Sequence, residues 1–203
     1  MKKKSFERKN ELLEAALAEF TQKNYENASL NTIIKKAGIS KGTFYYHFQD
    51  KQALYLFLLE TTSKTKWEFI NSYMEKNSID LDEMDIFEGF KLQARIGIEF
   101  AAKFPKYHKL SIMFTKEKGN DIYEDAKDIL GVSAESMIEE MVKNAIENGD
   151  FNNKFSKDFI VKIMSHLFVN FDEIFNCKED FRLNKMLENL DNYVDFMKYG
   201  LGR

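Results

Sequence analysis

A single proline and nine glycines in 203 residues constrain this chain more than any other feature. Folds built on tight turns draw on both residues, so their scarcity predicts long helices joined by short connections. The expected fold class is all-α. Apolar residues make up 44% of the chain and charged residues 31%, enough to bury a core and too apolar for a disordered chain. Most of the nineteen phenylalanines must belong to that core, because so many rings on a helical surface would drive aggregation.

Charge is distributed unevenly. Residues 1–51 carry ten Lys or Arg against six Asp or Glu, whereas the remainder carries twenty against twenty-seven. A basic leading segment on an acidic body suits a nucleic-acid reader with a separate regulatory part. Cys177 is the only cysteine, which excludes an intrachain disulfide and a cysteine-rich zinc site. His47, His108 and His166 share no metal-ligand spacing, so neither metal nor other cofactor is expected. The basic N-terminus has no apolar stretch of the signal-peptide kind, and the longest apolar run, Tyr55–Leu59, is far too short for a membrane span. A cytoplasmic protein without a membrane partner is the expectation. No nucleophile elbow, phosphate loop or paired acid–base motif is present, so an enzyme is not expected.

The apolar spacing predicts about nine helices. The first starts near Ser5 and carries Leu12, Leu13, Ala16, Leu17 and Phe20; it is expected to end on Asn24 in left-handed geometry, with Lys2–Lys4 preceding it as a basic arm or a solvated tail. Ser29 caps a second short helix with Leu30, Ile33, Ile34 and Ala37. Gly38 ends it, and Ser40 caps a third, very short helix through about Tyr46. Two short helices joined through Ala37-Gly38-Ile39-Ser40 form a helix-turn-helix, with Ile39 plugging the angle. Asp50 caps a helix running from Lys51 towards Lys76. Further helices are expected over 83–103, from Pro105 to about 118, over 121–148, from Ser156 through Phe175, and from about Asp180 onward. The expected division is a helix-turn-helix domain at 1–50 and a helical domain at 51–203.

Residues 8–54 resemble the DNA-binding domain of the tetracycline-repressor (TetR) family. The match rests on Leu12-Leu13, Ala15-Ala16, Phe20, Tyr25, Ser29-Leu30 and Ile33, then the run from Ala37 to Phe48, closed by Asp50-Lys51 and Leu54. Asn24 stands where that family usually has Gly, and Ile34 where a small Ala is common. The resemblance implies a repressor that binds palindromic double-stranded DNA as a homodimer, paired through its last two helices, and is released by a small apolar or amphipathic effector.

The chemistry agrees with the resemblance. A recognition helix enters the major groove by its N-terminus. Lys41 can donate to guanine, the Thr43 methyl can touch thymine, and Gly42 lets the backbone come close. Ser40, Tyr45, Tyr46, His47 and Lys51 resemble the family's phosphate clamps, with Thr32 and Asn31 as weaker candidates. Phe44, Phe48 and Ile39 read as core. For the effector, the resemblance points to a pocket whose candidate lining is Trp67, Phe90, Ala94, Phe114, Met137, Met141, His166, Phe168 and Phe171, with Arg95 and His166 able to orient a polar group. Plain core packing is the competing reading of each, and the commoner one. Effector binding would shift the fourth helix and the spacing of the two recognition helices. A C-terminal domain that binds a protein rather than a small molecule is the alternative.

Overall fold

The computed structural model describes residues 2–79, 84–130, 134–152, 154–175 and 183–201. Among them the chain is all-helical, in eleven segments: α1 (Lys2–Phe20), α2 (Leu30–Lys36), α3 (Lys41–His47), α4 (Lys51–Asn77), α5 (Ile86–Lys103), α6 (Pro105–Thr115), α7 (Asp121–Leu130), α8 (Ala134–Asn148), α9 (Lys157–Val169), α10 (Phe171–Phe175) and α11 (Leu183–Leu201). The helix expected from Ser156 through Phe175 is divided at Asn170, which adds to the count. Residues 131–133, between α7 and α8, lie outside the described residues, as does the expected start of the last helix near Asp180. Between α9 and α10, Asn170 caps the first helix, its backbone N–H and its side-chain amide both donating to the His166 carbonyl.

Local signals placed most boundaries. The Ser29 hydroxyl accepts from the Thr32 N–H at 3.3 Å and that of Ser40 from the Thr43 N–H at 3.1 Å, each satisfying a helix-start donor. Asp50 accepts from the Ala53 N–H at 2.7 Å at the start of α4. Pro105 is the first residue of α6, where its missing N–H removes nothing. Gly38 has φ +64° and Gly149 φ +85°, the left-handed geometry a Schellman ending requires. At the first of these, the Ile39 N–H reaches the Ile34 carbonyl and the Gly38 N–H that of Lys35. Ile34 and Ile39 are both buried in one core, which gives the bulky residue at 34 a use.

Two expectations at the first helix are corrected. It begins at Lys2, so Lys2–Lys4 and Ser5 are helical rather than an arm and its cap. It ends at Phe20, and Asn24 does not take positive φ; its side-chain oxygen instead accepts from the Asn27 N–H and side-chain amide, closing a turn.

The chain packs as two units: 1–69 with 103–131, and 70–102 with 132–203. This differs from a division near residue 50, because the first nineteen residues of α4 and all of α6 and α7 fold with the N-terminal helices. The first unit has a core of Leu12, Leu17, Phe20, Ile33, Phe44, Leu54, Tyr55, Leu58, Leu110 and Phe114 among others. Helix α1 packs on α2 and on α6. The second unit has its own core, including Phe87, Phe90, Val142, Met164, Phe168, Leu190 and Met197, in which α8 packs on α9. No helix among the described residues is long and apolar enough to cross a membrane.

Candidate nucleic-acid interface

Helix α3 has two faces. Phe44 is fully buried and Phe48, just past the helix, is buried four residues on; together they anchor its back in the first core. The opposite face carries Lys41, Gly42, Tyr45 and Tyr46, at helical spacing and all exposed. Tyr46 is 76% exposed and Tyr45 58%, so both rings are open to an external partner. The leading edge is held by a short network in which the Ser40 and Thr43 hydroxyls lie 3.0 Å apart while Ser40 caps the helix. An added Cβ at Gly42 would meet only the Ser40 hydroxyl, at 3.7 Å. Nothing inside the chain therefore requires glycine there, and the open side is the outer one.

The structure brings Ser40, Lys41, Gly42, Thr43, Tyr45 and Tyr46 onto one edge, with Thr32 half-buried in the first turn of α2. His47 is half-buried at the end of α3, and its Nε2 is enclosed without a hydrogen-bond partner, so a phosphate contact cannot run through that atom.

The Lys51 ammonium is engaged within the chain, which leaves the backbone start of α4 as the residue's route to a phosphate. It donates to the carbonyls of Tyr25, Ala28 and Glu26 at 2.8, 3.1 and 3.3 Å and sits 4.3 Å from the centre of the Tyr25 ring. Three donors on three carbonyls leave none for phosphate. Burial pushes its pKa down, against the pull of Glu26 and Glu117. The side chain is a strut that fixes the loop between α1 and α2.

Two buried carboxylates beneath the interface were missed by sequence reasoning. Glu19 accepts from Lys23 at 2.6 Å, from Lys36 at 3.0 Å and from the Ser29 N–H at 3.4 Å, so it pins the start and end of α2 to α1. The bond from Lys23 outweighs burial and, with Lys36 and Ser29, holds its pKa at about 2. Glu117, in the turn after α6, is buried and accepts from the Tyr25 N–H. The available signal for Glu19 was a carboxylate four residues before Lys23; Glu117 had none, its partner being 92 residues away.

The residues expected to line an effector site fall in both units, and each is described within its own. Trp67 is 54% exposed on α4, and Phe114 stacks on Tyr123 in the first unit. In the second unit, Phe90 and Phe168 stack at 3.9 Å between ring centres within the core, and Phe171 is buried beside them. Ala94 packs against that core, and Arg95 pairs with Asp191. His166 is exposed, with Nδ1 3.1 Å from the Asn170 amide. The side chain of Met137 lies outside the described residues. Met141 borders an open groove of about 420 Å³ lined by Met84, Ile86, Gln93, Ile138, Glu140 and Asp150 among others. No group of three potential metal-ligating side chains occurs among the described residues.

Residues 12–57 match the family described as bacterial regulatory proteins, tetR family. The HTH-type transcriptional regulator YdgC of Bacillus subtilis is 30% identical over 41% of this chain and 43% of its own length. A protein of Escherichia coli named "Probable acrEF/envCD operon repressor" is 27% identical over 59% of this chain and 53% of its own. The chain thus spans about half the length of the curated relatives it matches. A TetR family transcriptional regulator from Chloroflexus aurantiacus, known from its crystal structure, shares the fold over 97% of this chain and 94% of its own, with a TM-score of 0.72 and 22% identity.

Proposed function

We propose that this chain is a transcriptional regulator of the tetR family, a repressor that reads palindromic operator DNA as a homodimer and releases it on binding a small apolar or amphipathic effector. The observation that carries the reading is the outward edge of α3, where Lys41, Tyr45 and Tyr46 project while Phe44 is locked behind them. A cation, a close-approach glycine and two hydroxyl-bearing rings are the groups that bind phosphates and base edges. A dimer doubles that contact and sets two recognition helices about one duplex turn apart.

The dimer surface is best supported on α9 and α11. Phe159 and Ile163 on the former, and Phe196 and Tyr199 on the latter, are exposed large apolar groups in the second unit. Helices of this kind bury such faces against a second copy. The open groove beside Met141 is the effector site this reading favours, since it combines thioether and aliphatic walls with carboxylates and amides on its rim. The stacked Phe90 and Phe168 support a second reading, in which the filled core leaves no room for a small molecule and the releasing partner is a protein.

Selection of duplexes from a random pool, followed by gel shift at modest salt, tests the DNA reading. Enrichment of palindromes, weakened by Lys41→Ala and by Tyr46→Ala, is the expected result. A pool that stays unselected, or two substitutions without effect, rejects it. Release by compounds in an amphipathic panel, abolished by Met141→Trp, would favour the groove over a protein partner.

A further inference from the structure

Glu117 is an unusual group to find buried. Its residue is 1% exposed, yet a carboxylate removed from water is costly unless every oxygen is engaged. Here both oxygens are: Oε1 accepts from the Tyr25 N–H at 2.5 Å and Oε2 from the Asn120 amide at 2.8 Å. The other side of the same peptide segment is held too, for the Tyr25 carbonyl receives the Lys51 ammonium. Tyr25 is thus fixed from both faces of its backbone, by a residue after α6 and by the first residue of α4.

If the site needed only filling, an apolar side chain would stabilise it at least as well as a buried charge. What a carboxylate adds is direction, because it accepts only from donors aimed at it. The donor it selects lies in the loop that ends at Ser29, the cap of α2, and α2 leads through Gly38 into α3. We infer that Glu117 is a positioning residue for DNA reading: it sets the α1–α2 loop, and through it the angle at which α2 and α3 are presented. The inference rests on the DNA-binding function proposed above. Two other pairs in this unit, Lys106 with Glu14 between α6 and α1 and Gln52 with Asp125 between α4 and α7, are exposed, and such pairs fix orientation weakly.

The test compares the full-length wild type with Glu117→Leu, Glu117→Gln and Lys106→Ala, using one duplex selected by the wild type. Thermal unfolding and exchange of the Tyr25 amide are read alongside affinity. Glu117→Leu orphans the Tyr25 N–H, so it is expected to fold but melt below the wild type, to exchange Tyr25 faster, and to bind DNA about tenfold more weakly at a temperature where both are folded. Glu117→Gln keeps an acceptor for Tyr25 and should recover part of that loss, while Lys106→Ala should bind within about twofold of the wild type. A folded Glu117→Leu with wild-type affinity overturns the inference, as does a Gln variant no better than Leu. Should the Leu variant fail to fold, a Gln variant that exchanges Tyr25 faster than the wild type yet binds DNA with wild-type affinity overturns it. A wild type that selects no duplex removes the DNA reading itself, and this inference with it, which is a different result from equal binding by wild type and variant.

Discussion

The two units solve the problem of a small helical core differently. The first spends polar groups inside: Glu19 and Glu117 are buried and fully engaged, and Lys51 caps three carbonyls. The second is held by apolar packing within, and its charged ties, Lys198 to Asp85 and Lys91 and Arg95 to Asp191, lie part-exposed between α5 and α11. Its surface carries the exposed rings of α9 and α11. The lesson is that hydrogen bonds to buried charges define geometry, whereas an apolar face defines only what it avoids. On the function proposed above, the first device suits a module that presents a helix at a fixed angle, and the second suits one that accepts a second copy.

That contrast can be broken by mutation. The largest expected effect is at the anchor of α3: Phe44→Ala should destabilise the first unit by about 3–5 kcal/mol, read by urea unfolding, and abolish duplex binding. A loss under 1 kcal/mol would mean that α3 is not seated as described. Next, Phe159→Glu combined with Phe196→Glu should shift the protein from dimer to monomer in sedimentation, weakening self-association at least a hundredfold (about 2.7 kcal/mol) while leaving helix content intact. Unchanged sedimentation would place the dimer surface elsewhere.

A smaller effect concerns acid. The Glu19 carboxyl falls from its ordinary 4.5 to about 2 on folding, so its stabilising share is complete above pH 4.5 and fades as pH drops towards 2. Glu19→Gln should remove about 1.5–3 kcal/mol at pH 7 and flatten the acid limb of the stability curve over that window. A curve parallel to the wild type's would show that the lysines do not hold the charge. The smallest effect is expected in the second unit, where Lys198→Met breaks a part-exposed tie and should change stability by under about 1 kcal/mol in the same unfolding assay. A larger change would erase the distinction between the units.

Much of the first unit was legible because its signals are local. Ser29, Ser40, Gly38 and Pro105 act within four residues of themselves, and each sits where its chemistry demands. The outward edge of α3 followed from the same spacing. The use of the Lys51 ammonium was not legible, because its carbonyl partners lie 23 to 26 residues earlier. Glu19 and Glu117 look like solvated charges in a chain that is 31% charged. The effector residues were less legible for another reason: aromatic and Met side chains at helical spacing are equally suited to core and pocket, and Phe90, Phe114, Phe168 and Phe171 are buried in the two cores.

Gly42 carries one more consequence. In a helix, glycine gives up as much as about 1 kcal/mol relative to alanine, and nothing within the folded chain repays it, since a methyl group there would touch only one hydroxyl at ordinary distance. Two screens of the same library should therefore disagree at this position. One that rewards resistance to heat would enrich alanine, and one that rewards retention on a duplex would discard it.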